Sequence, residues 1–247
     1  MHVSQKYSSL FTIIIMMVIA SCGKDSNCFK GTGDIVKEQR EASNQITKIV
    51  TEDNIDIVLT QSNDAQLIVE GGENLLPYIK TEVSGNVLSV FSKNKCGMFR
   101  DNTIPITVHL SVPNLTNIDY TGQGKISCTN TLNFSSFEIN CNSGTGNIDL
   151  SMNVGELTIK QHSGAADFTF RGNADQLFVY TLGQGWFYLN HLVAKNTHVN
   201  HSGTGDVFVN VVEELKVELR SRGNVYYTGS STVEVSPHIG EGVVQHN

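Results

Sequence analysis

Gly144-Thr145-Gly146-Asn147-Ile148-Asp149-Leu150 reads as a tight corner that delivers the chain into an alternating strand. The phrase recurs as Gly122-Gln123-Gly124-Lys125-Ile126, Gly183-Gln184-Gly185-Trp186-Phe187 and Gly203-Thr204-Gly205-Asp206-Val207. It is degenerate in Gly164-Ala165-Ala166-Asp167-Phe168 and Ser221-Arg222-Gly223-Asn224-Val225, and returns as Gly240-Glu241-Gly242-Val243-Val244. Successive copies start 22, 20, 19, 20, 18 and 19 residues apart. One Gly-x-Gly means little, but a run of them in phase specifies a solenoid.

A second alternating strand precedes each corner, as in Leu115-Thr116-Asn117-Ile118, Phe137-Glu138-Ile139-Asn140-Cys141, Leu177-Phe178-Val179 and Leu215-Lys216-Val217-Glu218-Leu219. Alternation with a period of two packs one face and wets the other. Glycine permits positive φ at the corner, where a Cβ would clash. A rung is thus strand, corner, strand, then a turn rich in Asn, Ser and Asp. Stacked rungs pair equivalent strands and bury a continuous apolar column. The expected fold is all-β: a right-handed parallel β-solenoid, or β-helix, of about 20 residues per rung. The period is too long for a nine-residue calcium-binding repeat, and no leucine-rich pattern is present. No Gly-x-Gly opens a helix, so a dinucleotide site is excluded.

The organisation expected from this pattern places a leader over residues 1–21, a polar tether over 22–45, a β region or cap over 46–113, and the solenoid over 114–247. The middle region carries strand candidates at Ile55–Leu59, Gln66–Glu70, Ile79–Val83, Val87–Val90 and Ile104–Leu110. Ser84-Gly85-Asn86 predicts a hairpin, and Asn74-Leu75-Leu76-Pro77 a short helical turn. The 247 residues carry a net charge of -7 and no Lys/Arg cluster, which argues against nucleic acid as a partner.

Lys6 precedes the apolar run Leu10–Ala20, which is too short to span a bilayer and suits a signal peptide. The run ends in Ile19-Ala20-Ser21-Cys22, a lipobox-like sequence that makes Cys22 the expected lipidation site and membrane anchor. Gly23-Lys24-Asp25 then leaves the periplasmic face and the cell surface both open. Cys28, Cys96, Cys128 and Cys141 allow three full disulfide pairings in an oxidising compartment. Cys128 and Cys141 occupy apolar strand positions and read as small buried hydrophobes. No Cys/His spacing suits zinc, so neither a metal nor a cofactor is expected.

The chain resembles the autotransporter-adhesin head GIN domain family of lipoproteins. The resemblance rests on Cys22, Gly31-Thr32-Gly33-Asp34-Ile35, Ile55-Asp56-Ile57-Val58-Leu59-Thr60-Gln61, Glu73-Asn74-Leu75-Leu76-Pro77-Tyr78-Ile79-Lys80 and the Gly-x-Gly rungs. It covers essentially the whole chain after the leader, and residues 73–80 are its most specific piece. It implies a β-helical extracytoplasmic protein, adhesive and without catalytic residues to carry over. Ala166 and Ser221 replace corner glycines, and Trp186 stands where the family has a small or polar residue.

Counted from the corner, the fourth position reads Ile126, Ile148, Phe168, Phe187, Val207, Val225, a buried ladder. The flanking positions then point outward. They bring Trp186, Tyr188, Phe208 and Tyr226 into one expected exposed stripe, a candidate surface for a glycan, a protein or a second copy. The rival reading is a polysaccharide lyase or hydrolase, for which Asp149 and Asp167 on adjacent rungs are the candidate carboxylates. Solvated structural acids are the simpler reading of that pair. His162, His198 and His201 fall at different offsets and read as surface histidines. The expectation is a non-enzymatic, outer-membrane-anchored envelope lipoprotein that acts as an adhesin-like binding module, with structural self-association as a further alternative.

Overall fold

The computed structural model describes residues 31–94 and 104–247. The expected leader over residues 1–21, Cys22, Cys28 and Cys96 lie outside these residues. The strands are β1 (Ile35–Arg40), β2 (Lys48–Thr51), β3 (Ile55–Gln61), β4 (Gln66–Gly72), β5 (Ile79–Ser84), β6 (Val87–Ser92), β7 (Ile106–Val112), β8 (Asn117–Tyr120) and β9 (Ile126–Cys128). Then follow β10 (Leu132–Cys141), β11 (Asn147–Gln161), β12 (Asp167–Thr181), β13 (Phe187–His201), β14 (Val207–Leu219), β15 (Val225–Thr228), β16 (Thr232–His238) and β17 (Val244–His246). All join one 17-stranded sheet. The stacked parallel strands wind into a β-solenoid of about 6 turns with about 20 residues per rung.

Two columns run the length of the molecule. The column after the corners stacks β7, β3, β9, the leading halves of β11 to β14, then β15 and β17. The column before the corners stacks β6, β2, β8, the trailing halves of β10 to β14, then β16. A short third segment joins them within each rung. There Asn133, Asn153 and Asn173 form an amide ladder, each Nδ2 donating to the preceding Oδ1 at 3.0 and 2.9 Å. At the first end the sheet turns antiparallel: β4 pairs with β7 and β1, and β5 with β6.

Residues 46–113 are therefore not a separate sheet. β2 and β3 sit inside the two columns, between the cap strands and the first glycine-marked rung. The segment read as a tether contains β1, which lies antiparallel to β4. The β5–β6 hairpin turns at Gly85-Asn86 as the sequence indicates, and the helical turn is a 3-10 turn at Leu76–Tyr78, two residues late.

Ile126, Ile148, Phe168, Phe187, Val207 and Val225 are all fully buried. Phe168 and Phe187 stack at 4.6 Å between centroids, with planes 15° apart.

The corner glycines do their work differently from the expectation. Of the glycines in the repeated phrase, Gly164 alone adopts the left-handed region, at φ 93°. The others are required because neighbouring rungs approach too closely for a Cβ. One added to Gly124 would run into the Ile55 carbonyl oxygen, and one on Gly205 into that of Gly185, each well inside 3.0 Å.

Just before each corner, the inward residues run Tyr120, Cys141, Gln161, Thr181, His201. These are largely polar because the close corner leaves backbone groups that need partners. Tyr120 Oη donates to the Gly124 carbonyl at 2.8 Å and accepts from the Gly146 N–H at 2.9 Å. Burial pushes its pKa up to about 12. Gln161 Nε2 donates to the Ala166 carbonyl at 2.9 Å. Cys141 is buried and Cys128 half-buried; both are free thiols, and burial pushes Cys141 up to about 11.

His201 is not a surface histidine. It is fully buried, and its Nδ1 accepts from the Gly203 N–H at 3.2 Å. Desolvation holds its pKa below the usual value. The unfolded chain therefore takes up a proton here before the folded one does, and stability falls as pH drops below about 6.5. We expect the melting temperature of the wild type to fall across that window. His201→Gln, which repeats the side chain of Gln161 two rungs earlier, should flatten that part of the profile. Loss of stability from the lowered carboxyls of Glu70 and Glu218 begins only nearer pH 4.5.

Candidate functional site

The stripe forms on the outer face of the column after the corners. Tyr188, Phe208 and Tyr226 are direct cross-strand neighbours. Their rings stack at 5.7 Å and 6° for Tyr188–Phe208, and at 5.0 Å and 16° for Phe208–Tyr226. Trp186 completes the group, 6.1 Å from both Tyr188 and Phe208 with planes within 20°. Near-parallel planes at these separations overlap with an offset, the arrangement aromatic quadrupoles favour. Trp186 and Tyr188 are 40% and 39% exposed, whereas Phe208 and Tyr226 are half-buried. All four predicted residues thus come together, but only one end of the stripe is open. Thr169 precedes Tyr188 in the column and Gln245 follows Tyr226, so the rings are bounded by polar side chains.

The acids beside the stripe have structural duties. Asp167 Oδ1 accepts from the Trp186 N–H at 2.8 Å, and Asp206 Oδ1 from the Asn224 N–H at 2.8 Å. Asn224 Oδ1 accepts from the Val243 N–H at 3.0 Å. At these three corners the Asp or Asn that follows the corner fastens the next rung, which explains its recurrence. Asp149 is ion-paired with Arg171. The candidate carboxylate pair is accordingly committed on both sides, Asp167 to backbone and Asp149 to a guanidinium.

The three histidines do not converge. His198 Nε2 bonds Glu218 Oε1 at 3.0 Å on the outer face, His162 packs 5.5 Å from the Tyr180 ring, and His201 is inside. Among the described residues no three of His, Cys, Asp and Glu gather as a metal site.

Known proteins share this fold. A putative adhesin from Bacteroides fragilis superposes with a TM-score of 0.81 at 22% identity, over 88% of this chain and 100% of that one. A putative adhesin from Parabacteroides merdae gives 0.66 at 20% identity, over 88% and 98%. A putative lipid binding protein from Parabacteroides distasonis gives 0.61 at 18% identity, over 88% and 100%. At such identities the likeness establishes architecture alone. A search of curated proteins finds no match. The sequence pattern of one family, described as "Putative auto-transporter adhesin, head GIN domain", matches residues 45–231. That match spans most of the chain, which belongs to this family.

Proposed function

We propose that this protein is a non-catalytic, adhesin-like binding module of the cell envelope, held at the outer membrane through a lipidated Cys22. Its contacts with a glycan or protein partner fall on the Trp186–Tyr188–Phe208–Tyr226 stripe. The observation that carries this reading is the stacked, partly exposed aromatic cluster on an otherwise polar face. Rigid Trp and Tyr side chains supply large contact area at low entropic cost, and they dominate binding hot spots. The family's adhesin description and the adhesin-described structural relatives support the same role.

The stripe also contributes to folding, since each stacked pair is worth about 0.5–1.5 kcal/mol beyond its buried area. The test therefore compares wild type, Tyr188→Ala/Phe208→Ala and a similarly destabilised core variant, on a printed glycan array and by mass in solution. The stripe variant should lose at least tenfold in glycan retention, or convert an oligomer to a monomer, while the core control does neither. Unchanged binding and unchanged mass would refute the reading. Cys22→Ser should release the protein from the membrane fraction, and retention there would sink the lipid anchor.

A further inference from the structure

A second surface lies on the other column. At the corner that begins the trailing strands, two rows of outward side chains run along the solenoid axis. One row is Ser136, Glu156, Gln176, Asn196, Glu214; the other is Glu138, Thr158, Phe178, His198, Lys216. Between them run Phe137, Leu157, Leu177, Thr197 and Leu215, whose side chains point inward, so the backbone forms a floor. The central groove has a volume of about 420 Å³, and a neighbouring stretch of about 220 Å³ continues it past Glu156 and Thr158 toward Asn117. Rungs are about 4.8 Å apart, so five of them give a trough on the order of 20 Å long.

The lining selects the occupant. The first row is entirely hydroxyl, carboxamide and carboxylate, an unbroken line of hydrogen-bonding groups. In the second, the Phe178 ring packs against His198 at 5.2 Å and offers the trough an apolar plate. Glu138 is held by Lys160 at 3.1 Å and Glu214 by Lys216 at 3.2 Å, which leaves Glu156 without an ion-pair partner among the described residues. An open carboxylate favours donors and repels polyanions. An added peptide strand has nothing to pair with, because the floor lies within the sheet and its backbone is spent on the rungs above and below. The side walls also lack the apolar pockets that would seat alternate peptide side chains.

We propose that this trough is a binding site for an extended, uncharged glycan chain. Its hydroxyls bond to Glu156, Gln176 and Asn196, and one sugar ring packs on Phe178. This site is separate from the aromatic stripe, and either can fail without the other.

The test titrates the purified full chain with neutral hexasaccharides (β-1,4-glucan, β-1,3-glucan, α-1,4-glucan and β-1,4-mannan) and with a polygalacturonate hexamer, read by calorimetry. At least one neutral hexamer should bind, and the polygalacturonate should bind at least tenfold more weakly. Phe178→Ala and, independently, the groove-filling Asn196→Arg should each weaken that binding tenfold or more, with melting temperatures confirming both are folded. Tyr188→Ala/Phe208→Ala should leave it unchanged. The proposal is overturned if no neutral hexamer binds, if polygalacturonate binds as well, or if binding survives both groove substitutions. Loss in the stripe variant alone would likewise overturn it and assign the glycan to the stripe.

Discussion

Gly185→Ala should cost the solenoid more than about 3 kcal/mol, or leave the chain unrecoverable in folded form. The added Cβ would lie well inside 3.0 Å of the Ala166 carbonyl oxygen and 2.5 Å from Gln161 Nε2. The first contact is backbone, fixed by the ladder on both sides, and cannot swing away as a side chain end would. Moving it shifts the next corner too, since Gly205 is itself set against the Gly185 carbonyl. Ala166 shows how a Cβ is accommodated: its rung enters through Gly164 at φ 93°, a conformation Gly183 does not share. Gly31→Ala is the control, with nothing among the described residues within 4 Å of the added carbon, and it should stay within about 0.5 kcal/mol of wild type. Urea denaturation of the two variants decides the matter. Equal losses would mean the close approach of rungs is not what these glycines serve.

Phe187→Ala should cost about 3–5 kcal/mol. The ring is fully buried and lies in the middle of the ladder, stacked on Phe168 and followed by Val207. Because each rung touches only its neighbours, the damage should not be shared evenly along the solenoid. Amide exchange should accelerate most in β13 and in β14 to β17 beyond it, while β2, β3 and β7, buttressed by the antiparallel cap, keep their protection. A uniform loss from end to end would show that the two ends fold as one unit.

The ladder Ile126 to Val225 was legible because it recurs at a fixed offset from a visible mark, and every member is buried. The stripe was legible for the same reason, one residue further on for Tyr188, Phe208 and Tyr226 and one residue earlier for Trp186. β3 was not recognised as part of a column because its entry carries no glycine. Asp53 stands at that entry in the left-handed conformation, at φ 63°, which a short polar side chain tolerates. His201 could not be placed from periodicity, since a histidine before a corner looks like any turn residue until the Gly203 N–H is seen to need an acceptor. The axial trough was hidden for another reason. Its walls carry no recurring apolar signal, only the single Phe178, and aligning Glu156 with Glu214 requires knowing how rungs of unequal length are registered.

Part of that unequal registration falls at the joining segment. Against β14, β13 shifts between Leu189 and Val193 and again between Ala194 and Asn196, while both columns on either side stay in step. Between β13 and β14 the length difference is thus discharged at the joining segment, whereas β14 and β16 differ within their own column, between Val217 and Leu219. It follows that this edge is where the architecture can be edited: residues added there lengthen a loop without re-phasing the stacks. A peptide tag or reporter grafted between the exposed Asn190 and His191 of this seam would be carried on the side of the molecule, leaving both proposed contact surfaces in register.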